Sequence, residues 1–298
     1  MNKGALLVCL FGLLQGCSHG VKQTYQSDNF DSRVRFLVIH YTTGNWNDSL
    51  EALTKGQVSA HYLIPEKHDS SFVEGDLAVY RLVEEQQRAW HAGVSHWQGR
   101  ENINDQSIGI ELVNRARCVY EPLNWEEQAL SASQLDAQSF CLYPSFDQQQ
   151  ISLLIELATD ILTRYPNIEP TAIVGHSDIQ LGNKQDPGPN FPWYTLYQHG
   201  IGAWYDDDTV FKFWQQFKDE GLPDYQVVQC ALQRYGYGVE VTGEFDQQTF
   251  NTVKAFQLHF LPWQVTGEVN PKTLAVLWAL MDKYREGVID RHCMSVAQ

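Results

Sequence analysis

The apolar positions of this chain follow two rhythms. Up to about residue 195 they gather in short dense runs. Arg35-Phe36-Leu37-Val38-Ile39 and Thr171-Ala172-Ile173-Val174 are nearly continuous, the pattern of strands covered on both faces. Ser107 to Asn114 alternates instead, with Ile108, Ile110 and Leu112 on one face and Gly109 and Glu111 on the other. Val58 to Ile64 and Tyr80 to Val83 read as further strands, and Ser49 to Lys55 as a helix. Between the strands, Ile151, Leu154, Ile155, Ala158, Ile161, Leu162 and Tyr165 recur at helical spacing, from a cap at Asp147 to a stop at Pro166. The spacing predicts an α/β fold, a mixed central β-sheet flanked by helices.

The second rhythm starts near residue 222 and contains an internal repeat. Val241-Thr242-Gly243-Glu244-Phe245-Asp246 returns as Val265-Thr266-Gly267-Glu268-Val269-Asn270. Each copy ends in an Asx able to cap the helix that follows, and Pro271 then takes a first helical position. With Tyr225 to Tyr235 as an opening helix, this predicts a small all-α domain of three helices over 222–285, joined by two matching loops. The boundary falls around 200 to 222, where Trp204-Tyr205 is followed by Asp206-Asp207-Asp208. Aromatic residues there suit either the lining of a sugar groove or the packing of one domain on the other, and the second is expected.

Two apolar runs end in histidine, His40 and His176, and Asp186 stands before Pro187-Gly188-Pro189, which fixes a tight loop. Histidines at strand ends and a carboxylate on a rigid loop are good metal ligands. Glu111 lies in a Val/Ile-rich strand, where a carboxylate is costly to bury unless it is paired or functional. A Glu on an open solvated face is the alternative.

The first residues change the picture of where the chain works. Lys3 precedes an apolar run from Ala5 to Leu14, too short to span a bilayer but suited to a secretory signal. Leu14-Gln15-Gly16-Cys17 resembles a bacterial lipobox, which implies a signal peptide over 1–17 and lipidation at Cys17. Ser18 in the next position resembles the outer-membrane sorting class, so an outer-membrane lipoprotein facing the periplasm of a Gram-negative bacterium is expected. About 280 residues remain, enough for one ordinary domain and a small second one. The formal net charge of −15 argues against a nucleic-acid partner. Setting aside Cys9 and Cys17 leaves Cys118, Cys141, Cys230 and Cys293, an even number that suggests disulfides in an exported chain. Two bridges allow three pairings. Cys118–Cys141 and Cys230–Cys293 keep each bridge within one segment, the first stapling a polar insertion over 115–145.

Six motifs in order resemble the zinc N-acetylmuramoyl-L-alanine amidases, the phage-lysozyme-like and peptidoglycan-recognition-protein-like group. They are His40 after its strand, Ala60-His61-Tyr62, Trp90-His91-Ala92-Gly93, Ser107-Ile108-Gly109-Ile110-Glu111, Gly175-His176-Ser177-Asp178-Ile179, and Lys184 with Asp186-Pro187-Gly188. The resemblance spans about 33 to 195, within a catalytic domain expected over 33–200, and implies Zn²⁺ held by His40, His176 and Asp186, with a fourth position open for water. It implies Glu111 as the proton carrier between water and the leaving amine, and Lys184 as the stabiliser of the oxyanion. His61 and His91 match positions lining the cleft, and Tyr41, which follows a ligand, is placed either to hydrogen-bond in the site or only to pack. The bond implied is the amide between the lactyl group of N-acetylmuramic acid and L-alanine of the stem peptide, in peptidoglycan or 1,6-anhydro-muropeptides.

The tail is similar to the three-helix peptidoglycan-binding module of cell-wall hydrolases and is expected to hold a monomeric enzyme on its polymer. Two other functions share these motifs. A wall-binding receptor on an inactive amidase fold would have lost a ligand, and here all are present. A zinc peptidase acting within the stem peptide would share the water chemistry and differ in pocket shape.

Overall fold

The computed structural model describes residue 25 and residues 27–120 and 139–285. The leader with Cys17, the middle of the 115–145 insertion and Cys293 lie outside the described residues. Five strands form the main sheet in the order β3-β2-β6-β1-β9. They are β1 (Phe36–Tyr41), β2 (Tyr62–Ile64), β3 (Tyr80–Arg81), β6 (Ser107–Leu112) and β9 (Ile173–Gly175). β1 pairs parallel with β6 on one side and β9 on the other, β6 pairs parallel with β2, and β3 runs antiparallel at the edge. β1 is buried along its whole length, as its continuous apolar run requires. The mixed sheet flanked by helices is the α/β architecture that the spacing implies.

Several elements differ from the sequence expectation for local reasons. β2 begins only at Tyr62, because Ser59 N–H donates to Trp90 O (3.1 Å) and draws the preceding residues off the sheet. β9 begins at Ile173, because Pro170–Ala172 winds into a 3₁₀ turn. Helix α1 (Trp46–Lys55) starts earlier than Ser49, since Asn45 caps it by accepting from Asp48 N–H (2.9 Å). The flanks of the insertion are a ladder of β7 (Arg117–Tyr120) and β8 (Ser139–Leu142), with Cys118 opposite Cys141 and their Sγ atoms bonded at 2.07 Å. Helix α2 (Gln148–Arg164) is capped by Asp147 and covers the sheet. Its fully buried Gln150 donates to Ile64 O (3.1 Å) and Val113 O (3.0 Å), tying the ends of β2 and β6 together.

After the short helices α3 (His176–Ile179) and α4 (Trp193–Gln198), helix α5 (Asp207–Glu220) leads into α6 (Tyr225–Tyr235), α7 (Gln247–Phe260) and α8 (Pro271–Arg285). A buried glutamine explains each copy of the internal repeat. Gln229 on α6 donates to Glu244 O (2.9 Å) and Thr249 Oγ1 (2.7 Å) and accepts from Gly243 N–H (2.8 Å). Gln257 on α7 donates to Glu268 O (3.1 Å) and Thr273 Oγ1 (2.9 Å) and accepts from Thr266 and Gly267 N–H (2.8 and 2.7 Å). Each loop thus finds its buried hydrogen-bond partners in one amide.

The helical segment packs on the strands before it, and the described residues from Ser32 onward form one compact unit. Trp97, on the short ribbon β4 (His96–Trp97) and β5 (Arg100–Glu101), meets Tyr237 edge-on at 4.8 Å. Gln98 N–H donates to Gly236 O (2.8 Å), and a Cβ on Gly236 would stand 2.8 Å from the Trp97 ring. Trp204 packs against Phe260 at 5.9 Å and its N–H donates to Tyr284 Oη (3.2 Å), so that aromatic cluster does join the two halves.

Gln257→Leu removes the amide and strands two loop N–H groups and a carbonyl. A loss of about 2–4 kcal/mol is expected, read as a lower urea midpoint at unchanged slope; a midpoint within error of the parent would show the clamp to be dispensable.

Candidate active site

The parallel register sets the site. β1 and β6 pair His40 with Glu111, and β1 and β9 pair Ile39 with Gly175, so His176 follows directly beside His40. The three groups stand at the carboxyl ends of neighbouring parallel strands, where open α/β sheets bind their ligands. Asp186 arrives on the loop after α3, and its carbonyl accepts from Ser177 N–H (2.9 Å). A Cβ on Gly175 would lie 2.6 Å from Pro187, so the close approach of that loop requires glycine.

His40 Nδ1 and His176 Nδ1 each lie 3.1 Å from Asp186 Oδ2. The three residues are buried and their donor atoms fall within 4.8 Å of one another. A tetrahedral ion with N and O ligands at about 2.0–2.1 Å keeps them roughly 3.3 Å apart, and the two histidine–carboxylate separations are of that size. His176 Nε2 and Glu111 Oε2 are buried with no hydrogen-bond partner. Two imidazoles, one carboxylate and an unpaired carboxylate facing them fit a catalytic metal ion.

The charge states suit ligation. Burial first, then the neighbouring His176, lowers the His40 pKa to about 4, so the ring is neutral at pH 7, the form that binds a metal. Burial alone would raise Asp186, but His176 and His40 beside it hold the carboxyl well below the usual carboxylate range. Burial, and after it Asp186, pushes Glu111 up to about 8, while Lys184 pulls it back. A carboxyl on that scale exchanges protons near neutrality.

His91 supports His40 from behind. Its Nδ1 lies 3.0 Å from His40 Nε2 and its Nε2 lies 3.0 Å from Ser107 Oγ. In the tautomer that leaves His40 Nδ1 free, His40 Nε2–H donates to His91 Nδ1, and His91 Nε2–H donates to Ser107 Oγ. Burial, and then His40, His61 and His176, keep the His91 pKa well below the ordinary value. Asn104 Oδ1 fixes the His91 backbone by accepting from His91 and Ala92 N–H (3.0 and 2.8 Å).

His61, expected on the cleft wall, is fully buried away from it. Its Nδ1 accepts from Gly109 N–H (3.0 Å) and its Nε2 donates to Gln87 O (3.2 Å), so it holds the sheet edge together. Tyr41, His91, Glu111, His176, Lys184 and Asp186 line one open cleft of about 1040 Å³, and Arg115 and Arg117 add positive charge to its wall. The bonded Cys118 and Cys141 stand behind Gln185, with Sγ atoms 3.7 and 3.5 Å from its Oε1. Sequence reasoning passed over Asn104 and Ser107, whose roles depend on where a distant histidine ring lands.

The model of the N-acetylmuramoyl-L-alanine amidase family matches residues 30–189, and that of a peptidoglycan binding domain matches residues 222–277. The chain is 39% identical to N-acetylmuramoyl-L-alanine amidase AmiD of Escherichia coli K12 over 95% of its own length and 99% of that protein. The crystal structure of AmpDh3 from Pseudomonas aeruginosa in complex with anhydromuramic pentapeptide superposes with a TM-score of 0.80 at 41% identity, covering 89% of this chain and 99% of that one. The complex of E. coli AmiD with anhydro-N-acetylmuramic acid-L-Ala-D-gamma-Glu-L-Lys gives 0.70 at 36% identity, covering 89% and 95%.

Gly109 leaves room for the His91 ring, and a Cβ there would stand 2.4 Å from it. Gly109→Ala should therefore tilt His91 off His40 and weaken divalent-metal binding about tenfold, measured by chelator competition. Parent-like affinity in a folded variant would remove His91 from this supporting role.

Proposed function

This chain belongs to the N-acetylmuramoyl-L-alanine amidase family, and from that premise we propose how its residues divide the work. The enzyme hydrolyses the amide between the lactyl group of N-acetylmuramic acid and L-alanine, and 1,6-anhydro-muropeptides, the ligands of its solved relatives, are among its substrates. The observation that carries this assignment is the register of His40 with Glu111 beside His176 and Asp186.

His40, His176 and Asp186 are the residues to hold Zn²⁺. When bound there, zinc supplies Lewis-acid polarisation and lowers the pKa of water. Glu111 takes a proton from the attacking water and returns it to the alanine nitrogen as the C–N bond breaks. The Lys184 ammonium, on the cleft wall, stabilises the negative charge that develops on the amide oxygen. The products are a lactyl carboxylate and a stem peptide with a free amino terminus. Tyr41 and Arg117 on the cleft wall are the groups to meet a muropeptide, and a stem-peptide carboxylate matches the Arg117 guanidinium, whereas Arg115 is already paired with Asp69 at 3.1 Å.

The layout follows from the sequence: a signal over 1–17, the amidase over 33–200 and the wall-binding helices over 222–285, the whole a monomer. Lipidation at Cys17 holds the enzyme on the outer membrane facing the periplasm. Among the described residues no helix is long and apolar enough to cross a membrane. An oxidising compartment suits the Cys118–Cys141 bridge and a second between Cys230 and Cys293.

Mass spectrometry of a muropeptide incubated with the purified protein tests the chemistry. Free stem peptide and intact sugar should appear, vanish with a chelator and return with Zn²⁺; cleavage inside the peptide would make the enzyme a peptidase. Glu111→Gln should keep its zinc and lose about 10²- to 10⁴-fold in kcat, and near-normal turnover in that variant would take the proton-carrier role from Glu111. Cys17→Ser should move the protein out of the outer-membrane fraction, and continued co-sedimentation with that membrane would count against the anchor.

A further inference from the structure

Asp178 is a carboxylate that the chemistry above does not use, and it is completely buried. It lies two residues beyond His176, on the short helix α3 that carries that ligand. Its Oδ2 accepts from Gly175 N–H (2.8 Å), which closes the turn from β9 into α3. Its other two hydrogen bonds come from the helical segment. Tyr237 Oη donates to Oδ1 (2.8 Å), and His259 Nδ1 donates to Oδ2 (2.7 Å). A carboxylate at 0% exposure needs such donors, because an unpaired one is expensive to hold out of water.

Helix α7, which carries His259, reaches the site by two further routes. The His259 ring stacks on Trp193 with centroids 3.8 Å apart and planes 15° apart. Trp193 meets Phe191 at 4.6 Å, and Phe191 N–H donates to Gly188 O (3.2 Å) in the loop that follows Asp186. Asn251, two turns earlier on α7, presses on Gly182, where an added Cβ would stand 2.4 Å from its Nδ2. Gly182 precedes Lys184 by two residues and adopts φ +76, which favours glycine. Three contacts from α7 therefore bear on the segments that present His176, Lys184 and Asp186.

We infer that His259 and Tyr237 are positioning residues for the metal ligand His176, acting through Asp178, so the helical segment is a working part of the catalytic centre as well as a wall-binding module. Asp178 fixes where β9 turns into α3, and the imidazole of His176 is aimed by that turn. Without the two donors the buried carboxylate must turn toward other partners, and its bond to Gly175 N–H goes with it. The inference rests on the zinc site proposed above.

Zinc affinity of the purified protein, measured by competition with a chromogenic chelator, tests the coupling without reference to turnover. Tyr237→Phe removes one hydroxyl and keeps the ring. His259→Phe keeps a stacked ring and removes the donor, whereas His259→Asn keeps an N–H near the position of Nδ1–H and removes the ring. Tyr237→Phe and His259→Phe should each weaken zinc binding by about three- to tenfold, at the low end of what partners behind a ligand contribute, and His259→Asn should restore most of the loss. Variants that melt earlier but bind zinc like the parent would make the contact structural only and overturn the inference. Affinity that follows the ring rather than the donor would overturn it too. A parent protein that binds no zinc would bring down the site assignment itself, and the inference with it.

Discussion

The parallel pairing of β1 with β6 and with β9 is the constraint from which the rest follows. It sets His40 against Glu111 and Ile39 against Gly175, and a slip of one residue in either pairing would turn a reactive side chain to the other face. Gln150 fastens the carboxyl ends of β2 and β6 to helix α2, and β1 is buried from end to end. The register is therefore held by the core, and the cleft can stay open to solvent without losing its geometry.

Electrostatics at the site depends on that burial. Asp186 keeps its charge because two imidazoles face one of its oxygens. Glu111 has no such partner and is pushed toward neutrality by the same low-dielectric surroundings. Two carboxylates at one site are thus driven apart in character, Asp186 toward the charged form and Glu111 toward the protonated one. His40 and His91 are driven toward neutral rings, and with His40 Nδ1 left free a chain of single hydrogen bonds runs from His40 through His91 to Ser107.

The three candidate ligands are legible in the sequence because local signals mark them. Continuous apolar runs ended at His40 and His176, a Pro-Gly-Pro loop followed Asp186, and strict alternation put Glu111 opposite the apolar face. His61 sits in an equally apolar run, and only the fold shows that its nitrogens are spent on Gly109 and Gln87 rather than on the cleft. Gly109 gave no sign that its missing side chain makes room for His91. The partners of Asp178 are 59 and 81 residues away, and no period in a sequence reports a contact of that span. The ladder of β7 and β8 has no clear mark in the sequence because each strand is only four residues long, and their pairing is visible only once Cys118 stands opposite Cys141.

Helix α7 shows how the repeat and the site share one element. In the amphipathic helix of an appended domain, one face is wet; in α7 every residue from Phe256 to Phe260 is buried. Gln257 and His259 are two positions apart, about 200° around the helix. Gln257 therefore faces the loop of its own repeat while His259 faces Trp193 and Asp178 on the other side. Gln229 makes the same clamp on α6 in the first copy of the repeat, so the clamp belongs to the module and the His259 contact belongs to the junction. A three-helix unit that served only to grip the wall would need the first and have no use for a buried histidine aimed at α3.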